Sequence, residues 1–292
     1  MNIVFVFLLC NVLSSPIDSM NKIIRGNLVT SADKYPWLVG LEFGKSGVGC
    51  GGTLIDKENV MTAAHCMADV TPKDLFIVAR RLNSLNTIAT ENSVKFKVNK
   101  IIVHPQYDPK AEDIPFDVAI LKVSVIEGDF SAIKKLPKLD DGKTSFVNQK
   151  LTVAGWGDTR DSSGKGSALL REVDLKIQDR KTCQVAFPNI PESTLCAGEL
   201  AGGQDTCQGD SGGPLFSNGD VPTVVGIVSY GEKCGQTVGA YSNVTFLLPW
   251  ISKTMQSGNA QNSTSTGGST ETFSNINSFL WIILSVFFNI VL

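Results

Sequence analysis

Histidine is nearly absent from this chain: His65 and His104 are the only two in 292 residues. That excludes a histidine-rich metal site and restricts any imidazole base to one of two positions. Charge is also scarce, at 18% Asp, Glu, Lys and Arg with a formal net charge of -2. Such a balance gives no electrostatic argument for nucleic acid or an anionic surface as a partner. No Cys-x-x-Cys pair occurs among the seven cysteines, so the usual spacing of a zinc site is missing, and no metal or other cofactor is expected. Long apolar runs are missing too. The C-terminal stretch Phe279 to Leu292 has 14 residues, about 21 Å of helix against a hydrocarbon core of about 30 Å. No Lys or Arg follows Lys253, so no basic stop-transfer flank exists.

What remains is the composition of a folded domain, 42% hydrophobic, framed by two processing signals. Residues 3–9, Ile-Val-Phe-Val-Phe-Leu-Leu, are too short to cross a bilayer and are followed by small residues. They fit a signal peptide over 1–14, cleaved after Ser14, although its positive n-region is missing. Residues 15–22 form a short polar segment ending at Lys22. At the other end, 257–278 is a Ser/Thr/Gly-rich linker and 279–292 an apolar tail. Small residues at Thr266-Gly267-Gly268-Ser269, a spacer and a terminal apolar stretch match a GPI-attachment signal. A direct tail anchor and simple secretion are the alternatives. Asn243-Val244-Thr245 and Asn262-Ser263-Thr264 are glycosylation sequons.

Between these ends the chain reads as many short strands. Val94 to Asn99 alternates apolar and polar, while Trp37 to Phe43, Val118 to Leu121, Leu151 to Ala154 and Thr223 to Val228 are short apolar runs bounded by turn formers. That pattern indicates an all-β sandwich or pair of barrels. One helix is expected over Thr245 to Met255, with Phe246, Leu247, Trp250 and Ile251 on one face and Pro249 inside it. Cys10 falls in the leader, and the six remaining cysteines suit disulfides, with 15 pairings open.

The chemistry concentrates in Asp205-Thr206-Cys207-Gln208-Gly209-Asp210-Ser211-Gly212-Gly213-Pro214. Glycines around Ser211 let the backbone turn sharply and aim N–H groups at a developing negative charge. Taken alone, this is also the composition of an ordinary surface turn. A serine nucleophile needs a base. Thr62-Ala63-Ala64-His65-Cys66 supplies one at the end of an apolar run; His104, before a proline, is its rival. Asp117 stands directly before a run that reads as a buried strand, where an acid is costly unless paired. Asp113, in an irregular segment, is the rival acid. His, Asp, Ser is one of the known chain orders of a catalytic triad.

With these motifs in hand, the chain resembles the chymotrypsin-like (trypsin-like) serine proteases from Ile23 to about Met255. The resemblance is carried by Ile23-Ile24-Arg25-Gly26, Thr62-Ala63-Ala64-His65-Cys66, Asp117-Val118-Ala119-Ile120-Leu121, Ala154-Gly155-Trp156-Gly157, Gly209-Asp210-Ser211-Gly212-Gly213-Pro214 and Val228-Ser229-Tyr230-Gly231. Each motif is modestly specific; all of them in order are highly specific. The resemblance implies two packed six-stranded antiparallel Greek-key barrels with a C-terminal helix, the protease domain spanning 23–256. It implies Ser211 as nucleophile, His65 as base, Asp117 as its orienter, and the N–H groups of Gly209 and Ser211 as the oxyanion hole. Ser229 resembles the serine that bonds the triad acid. Asp205 falls at the base of the specificity pocket, with Gly231 and Gly239 as its small walls, which implies cleavage after Arg or Lys. Asp210 would receive the ammonium of Ile23 once the Lys22–Ile23 bond is cut. The chain would then be an inactive precursor, and Lys22 suits self-activation. The implied disulfides are Cys50–Cys66, Cys183–Cys196 and Cys207–Cys234. Partners would be protein or peptide substrates with Arg or Lys at the cleaved bond, and protease inhibitors. The place of action would be extracellular, at the cell surface through a lipid anchor.

Several positions depart from the family pattern. Arg25 replaces the usual Gly and Tyr230 the usual Trp; Val238 implies no sodium site, and Arg81 to Glu91 carries a single acid, which argues against the calcium loop of some relatives. The rival classes are a catalytically silent homologue acting as a binding or regulatory module, and a surface receptor using the fold as a scaffold.

Overall fold

In the computed structural model the described residues are 26–44, 47–158, 166–231 and 233–257. Lys22, Ile23, Arg25, Asn262 and the whole tail therefore lie outside the described residues, as do the proposed leader and anchor. No helix among the described residues is long and apolar enough to cross a membrane.

After a two-residue strand β1 (Asn27–Leu28), six strands close into an antiparallel barrel: β2 (Leu38–Phe43), β3 (Val48–Leu54), β4 (Asn59–Thr62), β5 (Leu75–Ala79), β6 (Val94–Val103) and β7 (Ala119–Glu127), ordered β2-β3-β4-β7-β6-β5. The alternation read at Val94 to Val98 is what closure requires: Val94, Phe96 and Val98 are buried, while Lys97 is exposed. The short segment Asn59–Thr62 is buried throughout. A short helix α1 (Ile88–Glu91) lies in the β5–β6 connection. There the Arg81 guanidinium pairs with Glu42 and donates to the Asn86 carbonyl at 2.6 Å, and Glu91 accepts from the Leu82 and Asn83 amides at 2.9 Å. A buried cation from the chain itself thus organises this loop.

The second half holds β8 (Lys138–Leu139), β9 (Lys150–Gly155), β10 (Arg171–Lys176), β11 (Thr194–Ala197), β12 (Pro214–Ser217), β13 (Thr223–Tyr230) and β14 (Gly239–Asn243). With β1 they make an eight-stranded sheet, ordered β1-β10-β9-β12-β13-β14-β11, with β8 parallel to β13. Six of these strands form the expected ring, but the seam between β10 and β11 is narrow. It consists of one bridge, Ile177 to Ala197, flanked by Gln178 N–H to the Cys196 carbonyl and Gly198 N–H to the Lys176 carbonyl. The strands β1 and β8 are short additions at the edges.

The helix α2 (Arg180–Ala186) is capped by Asp179, and α3 (Val244–Gln256) ends the described chain. Pro249 sits inside α3 without ending it. Val244, Leu247, Ile251 and Thr254 are buried; they recur at three- and four-residue spacing and so share one face of α3. Leu247 and Ile251 belong to that face as expected, and Trp250 borders it half-buried. Phe246, expected on the same face, is 45% exposed because it falls outside this spacing. Lys122 of β7 donates to the Thr254 and Met255 carbonyls at 2.9 and 2.8 Å, tying the end of α3 to the first barrel. Asn243 caps the start of α3 by accepting from the Phe246 amide at 3.3 Å, and Thr245 donates to Asp140 at 2.6 Å, so the side chains of this sequon are engaged in the fold.

Candidate active site

The site forms where loops of the two halves meet. His65 follows β4, and Asp117 precedes β7, the strand paired with β4. That pairing brings residues 52 apart in sequence together: Asp117 Oδ2 lies 2.7 Å from His65 Nδ1, and Asp117 Oδ1 accepts the His65 amide at 2.8 Å. Asp117 is 0% exposed. Its burial is offset by a further bond from the Ser229 hydroxyl, at 2.5 Å, and Ser242 donates to the Asp117 carbonyl at 2.7 Å. With Nδ1 engaged by the carboxylate, Nε2 is the nitrogen left to exchange a proton.

Ser211 comes from the second half. Its carbonyl accepts the Gly51 amide at 2.8 Å. Cys66 Sγ lies 3.7 Å from both His65 Nε2 and the Ser211 carbonyl oxygen, so the imidazole tip and the Ser211 main chain flank one sulfur atom. The glycine after the serine has a steric cause: Gly212 has φ +78°, and a Cβ there would lie 2.1 Å from Thr62 Oγ1 and 2.6 Å from the Gly51 carbonyl. Only glycine lets the two halves approach this closely. Gly209 has φ +95°, which also favours glycine.

The rivals are placed elsewhere. His104 is 6% exposed, stacked on Phe116 at 4.8 Å and against Trp250 at 4.7 Å, and burial lowers its pKa. It is packed as an aromatic between the first barrel and α3. Asp113 has no hydrogen bond to His65; that role is taken by Asp117.

Asp205 lines a pocket of about 180 Å³, together with Thr206, Gln208, Ser211, Tyr230, Gly231, Gly239 and the Cys207–Cys234 disulfide. Its oxygens accept the Thr206 and Gly235 amides, each at 2.8 Å, yet burial still pushes its pKa up to about 6. A Cβ on Gly239 would lie 3.2 Å from Asp205 Oδ1, so any side chain there would occupy the pocket. Thr206 and Tyr241, whose hydroxyls lie 3.2 Å apart beside Asp205, were not singled out from sequence. A threonine and a tyrosine carry no signal of their own there.

Asp210 is 1% exposed and accepts the Gly157 amide at 2.9 Å and the Cys207 amide at 3.0 Å. No ion pair reaches it among the described residues, and burial pushes its pKa up to about 7. Ala154-Gly155-Trp156-Gly157 has a use that sequence did not reveal: a Cβ on Gly155 or Gly157 would lie 2.2 or 2.4 Å from the Asp210 carboxylate. The two glycines are the cradle for this acid.

Disulfides join Cys50–Cys66, Cys183–Cys196 and Cys207–Cys234. They are the pairs that the resemblance implies. Cys50, Cys66 and His65 are close enough to suggest a metal site, but both sulfurs are consumed in a disulfide and offer no thiolate. A larger cavity, about 330 Å³, lies beside Asp140, Phe146 and Arg180, and includes none of these site residues apart from Cys183 of the second disulfide.

The trypsin family model matches residues 23–251. The chain is 34% identical to an alkaline trypsin B of Manduca sexta over 239 residues, covering 78% of this chain and 89% of the relative. It is 33% identical to alkaline trypsin C of the same insect, covering 78% and 90%, and 33% identical to a trypsin-like protease of Streptomyces glaucescens, covering 79% and 81%. The chain belongs to the trypsin family of serine proteases.

Proposed function

We propose that this protein is a secreted or surface-held endopeptidase, made as a zymogen, that cleaves after Arg or Lys through an acyl-enzyme. The reading is carried by the Asp117–His65 pair, a buried carboxylate 2.7 Å from Nδ1 on an imidazole whose tip shares a sulfur neighbour with Ser211. In the reaction, Ser211 Oγ attacks the substrate carbonyl and passes its proton to His65 Nε2. Asp117 holds the tautomer and stabilises the imidazolium. The N–H groups of Gly209 and Ser211 donate to the carbonyl oxygen as negative charge develops on it. His65 then returns the proton to the leaving amine, and a water, activated by His65 in turn, releases the acyl group.

Asp205 supports cleavage after Arg or Lys, because a buried carboxylate in a pocket beside Ser211 gains most from a cationic side chain. Asp210 supports the zymogen. A fully buried acid with backbone donors but no cation among the described residues is suited to an ammonium, and a cut at Lys22–Ile23 would create one on Ile23. The N-terminal leader, residues 15–22 as propeptide, the 257–278 linker and the 279–292 lipid-attachment tail complete this reading, and rest on sequence pattern. Glycans would be carried at Asn262 and Asn243.

A serine-directed fluorophosphonate tests the function. Labelling of Ser211 in a chain cut at Lys22–Ile23, lost in His65→Ala, is expected; a correctly cut chain that takes no label is a silent homologue. Self-activation is tested with purified Ser211→Ala: cleavage at Lys22 with no other protease present would rule it out.

A further inference from the structure

Phe116 directly precedes the triad acid, and its backbone is unusual. It has φ +56°, and Ile114, two residues earlier, has φ +33°. Bulky side chains rarely adopt this region, because Cβ crowds the neighbouring carbonyl oxygen. Such a conformation persists only where surrounding contacts impose it. The residue that follows this turn, Asp117, turns one carboxylate oxygen to the His65 amide and the other to Nδ1.

The contacts on Phe116 come from three sides. Ser193, buried in the second half, accepts the Phe116 amide on Oγ at 3.2 Å. Phe246 of α3 lies 6.0 Å from the Phe116 ring. His104, at the end of β6, stacks on that ring at 4.8 Å with 12° between the planes. The imidazole is itself held: the His104 amide donates to the Val118 carbonyl at 3.0 Å, Nδ1 accepts the Gln106 amide at 3.2 Å, and Trp250 of α3 lies against the ring at 4.7 Å. A ring tied at its main chain, at one nitrogen and by an indole has little freedom to turn, so the face it presents to Phe116 is fixed.

We infer that His104 is a positioning residue for catalysis: through its stack on Phe116 it holds the strained turn that aims Asp117 at His65, and Trp250 makes α3 a buttress of the triad acid. This rests on the protease reading above and adds to it a residue that acts only through others.

The test uses the full chain cut at Lys22–Ile23 and two readouts: kcat and KM on an Arg peptide, and the downfield proton resonance of His65 Nδ1–H in its bond to Asp117. His104→Ala should lower kcat roughly tenfold or more with KM unchanged, because a displaced catalytic group costs rate rather than binding. The resonance should move upfield as the bond to Asp117 lengthens. His104→Phe, which restores a flat ring without the nitrogens, should recover both readouts. Phe116→Gly removes the same stack from the loop side and accepts positive φ freely, so the turn is no longer held. It should mimic His104→Ala, and the double variant should lose little more than either single one. Unchanged kcat and resonance in His104→Ala, or in Phe116→Gly where His104→Ala does not fold, overturn the inference. A fall in kcat with the resonance unmoved, fully additive losses, or a folded His104→Phe no better than His104→Ala overturn it too. An unaltered chain that cleaves no Arg peptide overturns the protease reading, while the resonance still tests the inference.

Discussion

The two halves of the molecule treat buried charge differently. In the first barrel Arg81 has Glu42 and the Asn86 carbonyl, and Asp117 has His65 from the same barrel and Ser229 from the second half. In the second half Asp205 and Asp210 are buried with backbone donors and no ion pair among the described residues, and both are pushed up, to about 6 and about 7. The first barrel also closes through paired strands all round, whereas the second ring closes through a single bridge. These acids of the first half are thus paired within the fold, while Asp205 and Asp210 in the second have backbone donors alone. In the proposed function the cations they receive are the substrate side chain and the new terminus of Ile23.

The steepest losses should come where the halves meet. Ser211→Ala or His65→Ala should each lower kcat by roughly 10⁵–10⁶-fold, and the double variant should lose little more, since the residues act as a unit. Active-site-titrated kinetics on an Arg peptide measures this. Next comes the pocket in the second half. Asp205→Asn should lower kcat/KM for Arg and Lys peptides by about 10²–10³-fold. In the unaltered protein KM for these peptides should rise as pH falls through about 6, where Asp205 takes up a proton.

Removing an internal partner in the first barrel should act on stability instead. Arg81→Ala is expected to cost about 1–2 kcal/mol in urea unfolding, because Glu42 keeps Lys95 at 3.5 Å but loses its buried partner, and the Asn86 carbonyl loses its donor. An effect near zero would show that the first half does not depend on its own cation. The second half should reveal itself through pH. The folded, uncut chain keeps protons on Asp205 and Asp210 that the unfolded chain releases near pH 4. Their contribution to stability is therefore fully present below about pH 4 and falls as pH rises to about 7, by roughly a few kcal/mol. Asp210→Asn should flatten that slope, and cutting at Lys22–Ile23 should likewise reduce it to the part that Asp205 supplies; an identical slope in all three would erase the contrast. The mildest consequence is expected at Ser229→Ala, about a tenfold loss in kcat, through the loss of one hydrogen bond to Asp117.

Much of this was legible in the chain itself. The strands stood out by alternation or by short apolar runs, because one or both faces of each must be buried. Ser211, His65 and Asp117 stood out as reactive types in motifs of known order. The structure was needed to place His104: its stacking on Phe116 and Trp250 depends on α3 returning to the first barrel. It was needed for Arg81 as well, whose partner Glu42 is 39 residues away. Phe246 shows the same limit from the other side, since an apolar residue in a helix is buried only if the neighbouring elements cover its face.

Local pattern and motif were enough for the family, the β architecture and the residue types that the chemistry requires. The fold alone placed Gly212 against Thr62, Gly155 and Gly157 around Asp210, and Thr206 and Tyr241 beside Asp205. Those relations are distances between segments remote in the chain, and no local pattern records them. Packing and desolvation act through space, so the worth of a glycine or an acid is set by what the fold brings against it.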